Sequence, residues 1–402
     1  METLDAVVVG AGPAGVAAAL GGRTQGLSTV VVDKARFPRD KTCGDGLTTA
    51  ALRSLERVGV DLPQLLGESA TVDEVVLRSP SGREVVLPLP IDGRYAAVVP
   101  RAALDAALVG HARENGVDVR AGVGVVGIER DARGVDVVLT TGDKLRTRYV
   151  IAADGHYSAV RRLVGDQVCD LGTWHAFRQY VLEVDDPRLW VIFERDLLPG
   201  YAWVFPVGDG RANVGFGVLR TPEFRGKQLA GVARGLLDRG AVREVLGPHA
   251  RAEGPPRAWP IPAEYDPARL ADDRVLYTGD AAGVVDRMTG EGIAQALETG
   301  LLASDAIAHG GTPGAVARRY RNAVDRSLGR DLRLAAKLQG ILASPLGARA
   351  AVRAAGLTPW TRRNFARWMF EDYPRALAFT PDRWHRGAFT TPGAYRESPM
   401  RA

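Results

Sequence analysis

The chain is poor in cysteine. Of its 402 residues only Cys43 and Cys169 are cysteines. They form no CxxC pair and no disulfide framework, which argues against a thiolate metal site and against an oxidising compartment. The six histidines form no triad or metal-ligand cluster. No run of 18 apolar residues occurs, so no membrane-spanning helix is expected. The basic segment, apolar segment and cleavage site of a secretion signal are also missing, and a cytoplasmic location is expected. Lysine is scarce too: there are five, so nearly all the positive charge is arginine.

What is present is a globular composition, 46% hydrophobic and 25% charged. A chain of this length supports two or three domains. The charge is uneven. Residues 313–402 hold 17 Arg and Lys against 6 Asp and Glu, a net of +11 in a chain of +5, which leaves −6 on the first 312. Such asymmetry suits an anionic surface or a solvated helical face. Nucleic acid is not expected, because no recognition motif accompanies the charge.

Strand and helix patterns alternate at both ends of the chain. A strand-rich stretch from about 170 to 265 lies between them, and residues after 313 read as helical. This predicts an α/β core, α+β overall. A doubly wound, Rossmann-like nucleotide domain would be assembled from 1–70, 95–165 and 270–312. An antiparallel-sheet substrate domain would occupy 71–94 and 166–269, and a basic helical segment 313–402. The segment 47–60 reads as helix, and the final residues as a loose tail.

"VVVGAGPAGVAAAL" carries Gly10, Gly12 and Gly15 at GxGxxG spacing, between a buried strand and a helix opened by Pro13 and Ala14. Gly10 permits the tight turn, Gly12 lets backbone approach a pyrophosphate, and Gly15 lets helix and strand pack closely. The helix N-terminus then faces the phosphates. Asp33, followed by Lys34, ends the second strand, where a carboxylate accepts hydrogen bonds from ribose hydroxyls. A second match, Gly122-x-Gly124-x-x-Gly127, leads into an alternating strand pattern and reads as hairpin glycines. No second true fingerprint follows for a separate nicotinamide domain.

"YVIAADGHYSAVRR" ends a strand with Asp154-Gly155, and Ser158 reads as a helix cap. "VLYTGDAAG" ends another with Gly279-Asp280, where a carboxylate can bind the hydroxyls of a ribityl chain. "TGEGI" then opens a long helix with Gly290, Gly292 and Ile293, whose N-terminus would stabilise negative charge on a reduced flavin. The set resembles FAD-dependent oxidoreductases of the para-hydroxybenzoate hydroxylase type, over about three quarters of the chain. That resemblance implies FAD as cofactor, Arg101 at its phosphate or ribose region, and the backbone of Val125 at adenine.

Two stretches narrow the resemblance. "FPRDKTCGDGL" sets Cys43 and Gly44 after a basic run, and "LLPGYAWVFP" carries a Y-x-W-x-F-P pattern. Together they resemble the geranylgeranyl reductase family, bacterial menaquinone reductases above all. Two departures stand out: Leu198 lies where that pattern has its proline, and Arg287 stands where relatives often read DPMTGEGI. The resemblance implies reduction of an isolated C=C bond in a polyprenyl chain. An unactivated alkene accepts hydride poorly, so a proton donor is needed. Cys43 and Tyr201 are the candidates, with Trp203 as a wall of the site. NADPH or a small redox protein would supply electrons. Cys169 has no such context and reads as structural. The competing expectations are a flavin monooxygenase, epoxidase or halogenase acting on an apolar natural product, and a non-catalytic flavin or lipid carrier. A halogenase would carry WxWxIP where this chain has Tyr201-Ala-Trp203-Val-Phe205-Pro206.

A polyprenyl substrate lives in a bilayer. "WTRRNFARWMF" interleaves Trp360, Phe365, Trp368 and Phe370 with arginines, so an interfacial helix and peripheral membrane contact through 313–402 are expected. The oligomeric state is left open. Finally, an Asp209-Gly210 turn predicts a hairpin in which Phe205 faces Val214, Trp203 faces Phe216 and Tyr201 faces Val218.

Overall fold

The computed structural model describes residues 3–67, 72–89, 95–165, 172–221, 226–370, 376 and 380–384. Cys169 and the C-terminal tail lie outside the described residues. Along the chain come Leu4–Val9 (β1), Pro13–Thr24 (α1), Thr29–Asp33 (β2), Gly46–Thr48 (β3), Thr49–Arg57 (α2) and Leu62–Leu66 (α3). Then follow Glu74–Arg78 (β4), Glu84–Pro88 (β5), Ala96–Val98 (β6), Arg101–Glu114 (α4), Asp118–Ala121 (β7), Val125–Arg130 (β8), Val135–Leu139 (β9), Lys144–Ala152 (β10) and Ala159–Leu163 (α5). The strand-rich middle holds Trp174–Leu182 (β11), Leu189–Ile192 (β12), Tyr201–Gly208 (β13), Arg211–Leu219 (β14), Lys227–Gly235 (α6), Gly240–Leu246 (α7), Arg251–Ala252 (β15) and Arg257–Ile261 (β16). Ala271–Asp272 (β17), Val275–Tyr277 (β18), Ile293–Ala308 (α8), Pro313–Val324 (α9), Arg330–Leu342 (α10), Pro345–Ala355 (α11) and Pro359–Phe370 (α12) complete it.

The first sheet is parallel at its centre, in the order β7, β2, β1, β10, β18. Val7 of β1 sits between Val30 and Val150, and the valine runs are buried on both faces, as covered parallel strands require. α1 starts at Pro13, whose missing N–H costs nothing in the first turn. Its alanines allow α8 to approach so closely that a Cβ on Gly300 would lie 2.2 Å from the Ala14 carbonyl oxygen. Of the second glycine match, Gly127 lies in the antiparallel β8–β9 hairpin, while Gly122 and Gly124 precede it in the connection from β7, and a strand rather than a helix follows. The segment 47–60 is not all helix: β3 runs through Thr48, which then caps α2 by accepting from the Ala51 amide.

The second sheet runs β15, β11, β14, β13, β12, β4, β5, with β16 also on β11. One face packs Ala202, Val204, Val214, Phe216 and Val218 against α6 and α7. The other faces the first sheet. The hairpin turn falls at Asp209 and Gly210, both with positive φ. The pairing beyond it differs from the sequence reading by one residue. Tyr201 pairs with Gly217, Trp203 with Gly215 and Phe205 with Asn213, because Val207 is an extra residue between two matched pairs. One inserted residue exchanges the faces of everything beyond it. Tyr201 and Trp203 therefore stand over glycines and Phe205 beside Asn213, and the apolar residues expected beside the rings lie on the opposite face.

Candidate functional site

A cavity of about 1170 Å³ lies between the two sheets. That exceeds the roughly 300–1,000 Å³ of a single small-ligand site. Of the residues singled out in the sequence, Gly10, Gly12, Pro13, Ala14, Asp33, Lys34, Cys43, Gly44, Arg101 and Val125 line it. So do Asp154, Gly155, Tyr201, Trp203, Gly279, Asp280, Gly290, Gly292 and Ile293. Gly15 does not; it lies behind the turn, where a Cβ would come within 1.8 Å of the Gly10 carbonyl oxygen.

At the fingerprint end, Asp33 accepts from the Ala11 amide at 2.7 Å and the Ala35 amide at 2.8 Å, which ties the glycine turn to β2. Arg101 forks onto the buried Asp105 at 2.9 and 2.8 Å, and Arg39 reaches the same carboxylate at 2.9 Å. Both guanidiniums lie beside Gly12. Two cations on one acid leave a surplus positive charge there. Lys41 pairs with Asp280 at 2.7 Å. Burial works against the Asp280 charge, but Lys41 outweighs it and holds the carboxyl below its usual range.

At the other end the Cys43–Gly44 loop rests on the ring stripe. A Cβ on Gly44 would meet the Phe205 ring at 3.4 Å and Trp203 at 3.7 Å. Beneath it Asn213, fully buried, donates to the Cys43 carbonyl and to Asp45, both at 2.8 Å. It also accepts from the Trp203 indole N–H at 3.0 Å. Tyr180 donates to the same Asp45 at 2.6 Å. Trp203 lies flat over Gly215, where any Cβ would be 2.4 Å from the indole. Burial pushes the Cys43 thiol up, more than Arg101 pulls it down, so it keeps its proton at neutral pH. The Tyr201 hydroxyl donates to the Thr289 carbonyl in the TGEGI loop. Arg287 lines the cavity and is anchored by its Nε to the Ala263 carbonyl at 2.9 Å.

Comparison with known proteins decides the family. Residues 3–191 match the FAD binding domain family. The menaquinone reductase of Mycolicibacterium smegmatis is 36% identical, over 76% of this chain and 77% of its own. That of Mycobacterium tuberculosis is 33% identical over the same shares. Digeranylgeranylglycerophospholipid reductase 2 of Methanopyrus kandleri is 30% identical, over 84% and 86%. The chain belongs to the geranylgeranyl reductase family. It is an FAD-dependent oxidoreductase. Among solved structures, a geranylgeranyl bacteriochlorophyll reductase-like protein from Thermoplasma acidophilum has a TM-score of 0.76 at 21% identity, over 95% of this chain and 99% of that one. A flavin-dependent brominase also reaches 0.76, at 19% identity and 97% of both chains. These two share the fold of this reductase-family chain.

The cavity suits FAD. Gly10 and Gly12 leave the backbone bare at the start of α1, and the positive charge of Arg39 and Arg101 lies beside that bare backbone. The Oδ1 of Asp154 is buried with no partner in the protein, as expected of an acceptor waiting for a ligand hydroxyl. Reading the sequence missed Arg39 and Lys41, although both lie in the basic run before Cys43. It also missed Asn213 and Asp45. They are 168 residues apart, and no local pattern joins them.

The aromatics expected on an interfacial helix divide between surface and cavity. Of the described aromatics on α12, Trp360 stands clear, 61% exposed, whereas Phe365 and Trp368 line the cavity; Arg367 is buried, and the Phe370 side chain is outside what is described. The packing against β5 turns these aromatics inward. No helix among the described residues is long and apolar enough to cross a membrane.

His175 gives this region a pH signature. Burial first, then Arg220 and His156, lower its pKa from 6.5 to about 4. As pH falls below 6.5 the unfolded chain takes up a proton that the folded one refuses until about 4, so stability declines across that window. Urea midpoints measured from pH 7 to 4 should fall less steeply in His175→Phe than in the wild type.

Proposed function

We propose that the protein saturates an isolated C=C bond in a polyprenyl chain, such as a quinone tail or a geranylgeranyl-type lipid. One observation carries this reading. The Cys43–Gly44 loop and the Tyr201–Trp203–Phe205 wall share one cavity with the nucleotide turn, and the rest of its lining is largely apolar. The names of the relatives, reductases of menaquinone and of a digeranylgeranyl phospholipid, support it.

Gly10, Gly12, Arg39 and Arg101 would hold the pyrophosphate of FAD, Asp33 the ribose, the Val125 backbone the adenine and Asp280 the ribityl chain. Gly290, Gly292 and Ile293 would lie at the ring, where the N-terminus of α8 favours negative charge. Bound and reduced, FAD would supply the hydride. The alkene needs a proton at its other carbon, and the Cys43 thiol is the donor proposed here. Asn213 holds the Cys43 backbone, so the thiol needs little reorganisation to reach the substrate. The Tyr201 proton is engaged by Thr289, which makes that ring a wall more than an acid. Trp203, buried over Gly215, excludes water. NADPH, docking transiently, or a small redox protein would reduce the flavin. Contact of residues 313–402 with an anionic membrane would bring the lipid in. It is supported by the net charge of that segment and by exposed Leu346, Leu357 and Trp360.

The test is a single turnover without oxygen. Chemically reduced holoenzyme should be reoxidised on mixing with a polyprenyl quinone or geranylgeranyl lipid, and the product should gain two hydrogens by mass. Reoxidation by oxygen alone, with no change in any isoprenoid, would sink the reading. Tyr201→Phe should slow this turnover by less than about tenfold, below the range for loss of a general acid.

A further inference from the structure

The sheet wall of the cavity changes character from one end to the other. Its strands run β13, β14, β11, β16. β13 carries the aromatic stripe. At the far end Trp174 of β11 and Trp259 of β16 line the cavity, and the indole Nε1 of each is buried with no partner. Trp174 is 6% exposed and packs on Ala263 and Val285. Buried donors are rarely left alone in a folded chain. Arg287 adjoins Trp174 through Ala263. It lines the same cavity, and its Nε donates to the Ala263 carbonyl at 2.9 Å. That bond fixes the base of the guanidinium and leaves its two terminal nitrogens uncommitted. Among the described residues no carboxylate pairs with Arg287. Asp286, its neighbour in the chain, accepts instead from the Met288 and Thr289 amides and the Thr289 hydroxyl. Arg178 and Arg257, opposite each other on β11 and β16, share the one carboxylate of Asp40. This end of the wall therefore holds surplus positive charge.

We propose that this end is an anion subsite, with Arg287 as its anchor, for the phosphate-type group of a molecule that enters the cavity. The guanidinium and the two indoles are donors only, so the ligand must bring acceptors. A guanidinium fork matches two oxygens of one phosphate. A neutral head would leave the half-buried charge unanswered. The subsite is not the fingerprint end, whose cations beside Gly12 are Arg39 and Arg101. Two molecules of the proposed reaction carry such a group: a nucleotide that reduces the flavin, and a prenyl substrate that ends in a phosphate. The second case rests on the polyprenyl reading above, and the first needs only the flavin.

The experiment uses the FAD-loaded full chain without oxygen. One arm titrates NADPH and follows the rate of flavin reduction. The other titrates geranylgeranyl diphosphate, and geranylgeraniol as its uncharged control, into the oxidised enzyme and reads quenching of tryptophan fluorescence. In Arg287→Gln the half-saturating concentration of a phosphorylated probe should rise about 10- to 100-fold, the scale of one charge-assisted hydrogen bond. Affinity for geranylgeraniol and FAD content should stay as in the wild type. Arg287→Lys, which keeps the charge and loses the fork, should recover part of the loss. Trp174→Phe keeps a ring and removes the N–H; it should weaken the same probe severalfold, and it carries the test where the glutamine variant does not fold. A rise confined to NADPH assigns the subsite to the reductant, and one confined to the diphosphate assigns it to the substrate head. The proposal is overturned if the wild type saturates with neither phosphorylated probe, if neither variant shifts one, or if the alcohol weakens equally. Loss of FAD from an Arg287→Gln protein that unfolds at the wild-type midpoint also overturns it, because Arg287 then serves the cofactor. A wild type that binds the probes but reduces no alkene loses the polyprenyl reading and keeps the subsite.

Discussion

Replacing Cys43 with alanine should slow alkene-dependent reoxidation of the reduced enzyme by about 10²–10⁴-fold, the usual cost of losing a positioned general acid. FAD content and the midpoint of unfolding should hardly change. The side chain is half-buried and small, and its loop is held through its backbone by Asn213 and through Asp45, not through sulfur. Stopped-flow absorbance under anaerobic conditions measures the effect. The pH profile supplies a second check. Because burial raises the thiol above its ordinary range, the wild-type rate should stay level through neutral pH and fall only as alkali removes the proton. Cys43→Ala should lose that alkaline limb together with the rate. An unchanged rate in Cys43→Ala would remove the thiol from the mechanism and return the question to Tyr201.

Asn213→Leu should be the most destabilising single change near the site. Asn213 is fully buried and serves three partners at once: the Cys43 carbonyl, the Asp45 carboxylate and the Trp203 indole. Leucine fills a similar space but satisfies none of them. Each buried group left without a partner costs about 1–3 kcal/mol, and more when charged. Tyr180 still donates to Asp45, so the Cys43 carbonyl and the Trp203 indole N–H are the two groups stranded. The sum is roughly 2–6 kcal/mol, a large share of the about 5–15 kcal/mol that holds a domain together. Burial already pushes Asp45 above the usual carboxylate range, against the hydrogen bonds from Tyr180 and Asn213. Losing one of those bonds pushes it further. The urea midpoint should drop at unchanged slope. Val126→Ser, at a position 55% exposed, should move it by no more than about 0.5 kcal/mol. If Asn213→Leu unfolds at the wild-type midpoint, the network is not what holds the loop on the rings.

The parts of the site that could be read in the sequence are those whose chemistry is written in a few consecutive residues. The glycine turn with its strand and helix, the Asp154-Gly155 and Gly279-Asp280 strand ends, the TGEGI helix start and the Cys43 loop all depend on local backbone geometry and on periodicities of two and 3.6. The alternate aromatics of YAWVFP likewise had to share one face of a strand. Which face, and against what, was decided elsewhere. A single extra residue at Val207 slid the hairpin and set Tyr201 and Trp203 over Gly217 and Gly215, leaving room for a cavity where the unbulged pairing would have packed a core. Asn213 reached Asp45, and Arg39 joined Arg101 on Asp105, only because the two sheets face each other. The aromatics of α12 turned inward for the same reason, since the helix packs on β5. By itself, then, the sequence determined the nucleotide turn, the Cys43 loop and the ring stripe, because short-range sterics decide them. The tertiary structure decided the register and the buried polar network, because these depend on contacts between residues far apart in the chain.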